Sequence, residues 1–147
     1  METNMNPTAA PRYEQELPDV VKALYEAQTA VNNHGIEPQL RHLVVLRASQ
    51  INRCGFCVQM HTREAREDGE TSERLDRVIV WDQVKDFSDR ERAALAWTEA
   101  LTVLDHHADL GALRARLREH FSEEQVAALS AIIAMINAWN RIGVSRH

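Results

Sequence analysis

Residues 46–71, LRASQINRCGFCVQMHTREAREDGET, hold both cysteines of the chain and alternate helix-forming runs with breaks. Upstream, Pro38 opens a helix through PQLRHLVVLRAS, with Leu40, Leu43, Val44 and Leu46 on or near one stripe. Past QIN, a helix over residues 54–68 carries the cysteines and ends near Gly69, and Thr71 or Ser72 starts another through ERLDRVIVW. Farther out, Pro18 fits the first turn of a helix through DVVKALYEAQTAVNN, and Gly35 closes it as a left-handed cap. Ser88 with Glu91, and Ser122 with Gln125, form capping-box patterns ahead of two more apolar runs, while Asp109 caps LGALRARLREH. No segment alternates with period two, so the expected fold class is all-α, a compact domain of about six helices. Residues 16–147 are expected to form that single domain, behind an N-terminal arm over 1–15 that is flexible.

Composition narrows the function. With 44% hydrophobic and 27% charged residues the chain has the makeup of a globular protein. Its net charge of −5, with 17 Lys and Arg against 22 Asp and Glu, disfavours nucleic acid as a partner. The start, METNMNPTAAPRYEQ, lacks a basic stretch followed by an apolar one, and VAALSAIIAMINAW (126–139) is shorter than the roughly 20 residues a bilayer demands. The expected location is therefore cytoplasmic, where two close cysteines point to redox, catalytic or metal chemistry rather than to a structural disulfide.

On one helix Cys54, Cys57 and His61 follow an i, i+3, i+7 spacing and share a narrow face. Cys57 and His61, four apart, allow an imidazole to take the thiol proton, and the first-turn amides favour a thiolate. Three readings compete. The face could be a core stripe continued by Ala65, with inert thiols. It could bind zinc through Cys54, Cys57, His61 and, one helix earlier, His42, although three ligands from one short face rarely surround a metal. Or it could be a dithiol that cycles to a disulfide. The remaining candidates are weaker: Asp105, His106 and His107 suit a solvated helix end, and no phosphate loop, dinucleotide fingerprint or serine elbow is present.

The stretch LRASQINRCGFCVQMHTREAREDGET resembles the core of the alkylhydroperoxidase D-like group of the carboxymuconolactone decarboxylase superfamily, and FSDRERAALAWTEALT and INAWNRIGV look like its later segments. The resemblance runs from about Pro38 onward and implies an all-helical, trimeric or hexameric peroxidase that uses no haem, flavin or metal cofactor. It also implies that Cys57 attacks the peroxide, Cys54 resolves the sulfenic acid to a disulfide, and His61 serves a proton relay, which agrees with the oxidation chemistry of thiols. His42 stands where the group commonly carries a glutamate that completes the relay, and Arg53 where a glycine is common.

The expected function is thus a thiol-dependent hydroperoxide reductase, with Cys57, Cys54, His61 and His42 as its site and a dithiol reductant or adaptor protein as partner. The alternative is a non-catalytic redox or metal sensor built on the same four residues. Ring-lactone decarboxylation is disfavoured because members with that activity generally lack the cysteine pair. VIVW (78–81) and AIIAMINAW (131–139) are expected to leave apolar surface for a homo-oligomeric interface.

Overall fold

The computed structural model describes residues 6–147. Among them are eight α-helices, one 3₁₀ helix and no strand: α1 (Tyr13–Glu16), α2 (Pro18–Asn32), α3 (Pro38–Ile51), α4 (Gly55–Glu67), α5 (Ser72–Arg77), the 3₁₀ helix (Val78–Gln83), α6 (Asp89–Val103), α7 (Leu110–Arg118) and α8 (Glu123–Ser145). The total exceeds the expected six for local reasons. One turn of helix forms at Tyr13–Glu16, and the run expected as one helix through ERLDRVIVW tightens to 3₁₀ geometry after Arg77, with Val80 off helical angles at φ −123°.

The local punctuation works as short-range chemistry dictates. Pro18 and Pro38 occupy the first turns of α2 and α3, and Gly35 takes φ +80° in the turn between them. Ser88 and Ser122 complete capping boxes with Glu91 and Gln125, and the side chains of Thr71 and Asp109 cap α5 and α7. Each cap satisfies backbone donors that a helix start leaves open.

α3 is the central element, packed against α4, α6 and α8. Leu40, Val44, Val45 and Ala48 join one core with α6, α7 and α8, where Leu129, Ile132 and Ile133 are buried; Leu43 and Leu46 join a second with Ala65, Leu75, Val78, Trp81 and Leu95. A helix covered on several sides explains why PQLRHLVVLRAS is apolar well beyond a single stripe. α8 is, by length and composition, long and apolar enough to cross a bilayer, since it extends past 126–139 at both ends. Here its Val126, Leu129, Ile132, Ile133 and Ile136 are interior. The run at 131–139 is thus taken up by the chain's own core in part, Ile132, Ile133 and Ile136 being buried while Met135 and Trp139 are half-buried and Ala134 is exposed, and at 78–81 Ile79 and Val80 are exposed, Val78 and Trp81 being buried.

Of the segment expected as a flexible arm, residues 1–5 lie outside the described residues and residues 13–15 fall in α1, whose Tyr13 hydroxyl lies 2.6 Å from Ser145 Oγ and whose Glu14 accepts a 2.8 Å bond from Arg146. These contacts lay α1 over the C-terminal turn of α8.

Around α5, the buried Glu70 accepts from Arg74 Nε at 2.8 Å, and the same guanidinium donates to the Asp86 carbonyl at 2.6 Å and to Glu91. Glu91 is held below the ordinary carboxylate range by Arg74 and Ser88, against the opposing effect of its burial. A carboxylate with a nearly inaccessible side chain tolerates no loss of its cation. Arg74→Met is expected to destabilise the fold by about 3 kcal/mol in urea unfolding, with Glu70→Leu added to it recovering part of the loss.

Candidate active site

The site begins at the break between α3 and α4. Asn52 ends α3, Arg53 takes φ +56°, and Cys54 is the N-cap of α4, so the chain turns between the two helices in three residues. Left-handed geometry costs a non-glycine residue about 1–2 kcal/mol, which accounts for glycine being common here in the group the sequence resembles. Arg53 itself is exposed and its charge is solvated.

A buried polar network pins this break to α8. Asn52 Nδ2 donates to Asn137 Oδ1 at 2.9 Å and to Asn140 Oδ1 at 3.0 Å. Asn140, fully buried, donates to Ser49 Oγ at 2.9 Å, and Ser49 donates to the Val45 carbonyl at 2.7 Å. The Cys54 amide closes on the Ser49 carbonyl at 3.1 Å. SQIN and INAWN, two motifs far apart in sequence, are therefore one structural unit.

Cys54 and Cys57 form a disulfide with their Cα atoms 5.2 Å apart. Cys54 precedes the first helical residue, so its placement comes from cap geometry, its Sγ accepting from the Cys57 amide at 3.3 Å, and not from the shared helical face expected from spacing. Both cysteines are buried. Gly143 of α8 presses on them: a Cβ there would lie 2.8 Å from Cys54 Sγ and 3.3 Å from Cys57 Sγ. Only glycine lets α8 approach the pair this closely.

A cavity of about 650 Å³ opens beside the disulfide. Its wall includes Cys57, His61 and His42, while Cys54 lies outside the lining. Apolar surface comes from Tyr25, Val45, Phe56, Met60, Ile136 and Trp139, and Tyr25 and Trp139 meet with ring centroids 5.1 Å apart. Arg41, Glu64, Glu14 and Arg146 bring charge to the same wall.

His61 is mostly buried, and its Nδ1 has no hydrogen-bond partner, Glu64 Oε2 standing 3.5 Å away. Burial pushes its pKa below the ordinary histidine value, with Glu64 opposing and the neighbouring His42 and Arg41 adding to the depression. The ring is therefore neutral, and a competent proton acceptor, at neutral pH. His42 is buried in α3 and donates from Nε2 to Asp68 Oδ2 at 2.5 Å. The structure thus brings Cys57, His61 and His42 to one cavity, with Cys54 behind Cys57. The same four residues, weighed as zinc ligands, are not assembled as such: both sulfurs are bonded to each other, and among the described residues no three Cys, His, Asp or Glu side chains gather as a metal would demand.

Spacing within one helix did not reveal Asp68, Ser49, Asn140 or Gly143. Their sequence signals are faint: a lone glycine inside a 23-residue helix for Gly143, and buried polar positions in apolar runs for Ser49 and Asn140. His106 and His107, read from the sequence as a solvated helix end, lie ring to ring at 4.1 Å in the turn after α6.

The fit of Gly143 against the sulfurs has a measurable consequence. An added methyl gains about 1 kcal/mol of helix propensity but must displace a covalently fixed sulfur pair, an overpacking cost of about 1–3 kcal/mol. Gly143→Ala is expected to lower the melting temperature of the oxidised protein, and to lower it less after reduction, because free thiols can rotate away.

Comparison with known proteins agrees with this architecture. Residues 16–100 match the model of the carboxymuconolactone decarboxylase family. The chain is 35% identical over 133 residues to the uncharacterised protein YdfG of Bacillus subtilis (strain 168), covering 90% of each. It superposes with a TM-score of 0.86 and 35% identity, over 94% of both chains, on ATU0492 of Agrobacterium tumefaciens, a protein of unknown function assigned provisionally to the antioxidant defence protein AhpD. The debrominase Bmp8 shares the fold at a TM-score of 0.79 and 20% identity, over 90% of this chain and 71% of Bmp8. With its CxxC disulfide and helical bundle, the chain belongs to the carboxymuconolactone decarboxylase family as an AhpD-like member.

Proposed function

We propose that this protein is a thiol peroxidase that reduces organic hydroperoxides through a Cys54–Cys57 dithiol/disulfide cycle. The observation that carries the reading is asymmetric access: Cys57 lines the apolar cavity together with a neutral, unpartnered His61, and Cys54 does not line it. The Cys57 thiolate attacks the terminal peroxide oxygen, the O–O bond breaks, and the alkoxide leaves as alcohol with the proton that His61 took from the thiol. Cys54 then attacks the sulfenic sulfur of Cys57, the S–S bond forms, and hydroxide leaves as water on gaining a proton. The two electrons come from the dithiol, which a dithiol donor or adaptor protein must restore.

The position of Cys57 suits this role. It is the third residue of α4, in the first turn, where the helix dipole favours an anion. His42 adds a second imidazole to the cavity wall in place of the glutamate common in the group. The cycle calls for a reducing compartment such as the cytoplasm. Assembly into a homotrimer or homohexamer finds support in α2, which has no buried residue and exposes Leu17, at its N-cap, with Val20 and Tyr25 on its surface.

Peroxide consumption with a dithiol donor is the direct test. Cys57→Ser is expected to abolish turnover, and Cys54→Ser to leave a single-turnover sulfenic acid at Cys57 that dimedone captures. Dimedone on Cys54 in the Cys57→Ser protein, with none on Cys57 in the converse variant, would reverse the roles. Disulfide formation without multiple turnover would favour a redox sensor.

His61 sets the pH dependence. Its pKa lies below the ordinary histidine value of about 6.5, so the acid limb of kcat/KM, where the base is protonated, should fall at lower pH than a free histidine would place it. His61→Gln is expected to reduce kcat/KM by about 10²–10⁴-fold and to remove this acid limb.

A further inference from the structure

We infer that Asp68 is a positioning residue of the site, supplying through His42 the carboxylate that the cavity wall itself lacks at position 42. This rests on the proton relay proposed above and extends it to a residue outside the cavity. Asp68 sits at the C-cap of α4, thirteen residues from the first residue of that helix, and its side chain is half exposed. Its Oδ2 lies 2.5 Å from Nε2 of the buried His42. A carboxylate only accepts, so Nε2 carries a proton and the contact fixes the orientation of the ring. His42 lines the cavity with Cys57 and His61, so a ring held by Asp68 is positioned within the wall that the relay uses.

The arrangement separates two effects that a glutamate at position 42 would combine. A carboxylate on the cavity wall orients the relay but repels a thiolate; a carboxylate behind an imidazole orients the ring while standing one ring farther from the sulfur. The proton balance is simple: the thiol proton of Cys57 passes to His61, beside the oriented His42 ring, and the same proton returns to the alkoxide. No electron passes through Asp68 or His42. The charged groups facing His42 are Asp68, His61 and Glu64 from α4 and Arg41 beside it on α3, with Glu14 of α1 and Arg146 of α8 across the cavity.

The test uses the reduced full chain and three readouts. In long-range proton–nitrogen NMR, His42 should be protonated at Nε2 and bare at Nδ1, and Asp68→Ala should yield a mixture of tautomers. In a Cys54→Ser background, alkylation of Cys57 by iodoacetamide at pH 7 should slow about tenfold in Asp68→Ala, the scale of losing a partner that orients a working histidine. A carboxylate acting by charge alone predicts the opposite sign, because its removal makes the thiolate easier to form. With cumene hydroperoxide and a dithiol donor, kcat should fall about tenfold with KM within twofold, and Asp68→Glu should restore all three readouts. An unchanged His42 tautomer in Asp68→Ala, or Cys57 alkylation that is equal or faster, overturns the assignment. If the tautomer and alkylation behave as stated and the wild-type protein consumes no peroxide, the peroxidase reading fails and the Asp68 assignment stands.

Discussion

Asn140 donates to Ser49 and accepts from Asn52 in the interior between α3 and α8, and the geometry of the cysteine pair depends on those bonds. Each polar group is removed from water, so an unmade bond would cost about 1–3 kcal/mol. That penalty gives the network its authority. The turn it holds contains a non-glycine residue at φ +56°, and local preference alone would relax it. With Ser49 and Asn52 fixed, the Cys54 amide reaches the Ser49 carbonyl, Cys54 becomes the N-cap, and Cys57 falls on the first turn with its sulfur toward its partner. α8 completes the site from the other side: one turn past Asn140, Gly143 offers a bare backbone against both sulfurs.

The same framework sorts the two cysteines chemically. A capping cysteine is tied into the backbone of the turn and covered by α8, and the third helical residue faces the cavity. Spacing alone makes them near equivalents, and helix-dipole reasoning would favour the first as the more acidic. In the proposed cycle access decides otherwise, because of the two sulfurs only that of Cys57 belongs to a residue lining the apolar cavity. The histidines then divide the electrostatic work. His61 is kept neutral mainly by its burial, while His42 is anchored to an anion at the edge of the fold.

Much of the fold was legible because its signals are local. Proline in a first turn, a serine followed three residues later by Glu or Gln, and glycine at a left-handed turn act within one turn of chain, and each appears where expected. The site was legible only in part. Cys57 and His61 lie on α4 as their spacing implied and His42 of α3 lines the same cavity, but Cys54 does not share the helical face because α4 begins one residue after it. The pairings Ser49–Asn140 and Asn52–Asn137 span 91 and 85 residues. No periodicity reports which polar group of one helix will meet which of another. The 131–139 run was legible only in part for a related reason: an apolar run on a long helix signals burial without saying how much of it its own core provides.

His42 shows how a departure from a family pattern can be compensated at a distance. Replacing a carboxylate by an imidazole at a buried position would leave position 42 without a fixed acceptor if the ring were free to choose its tautomer. The geometry that α3 and α4 adopt around the cysteine break brings the C-cap of α4 back against the first turns of α3, so Asp68 meets the ring that took the carboxylate's place. The charge is then kept outside the cavity, where half its surface is hydrated and its repulsion on a thiolate is screened. What the position gives up in direct negative charge it recovers as orientation, and orientation is the part of the carboxylate's role that a proton relay uses.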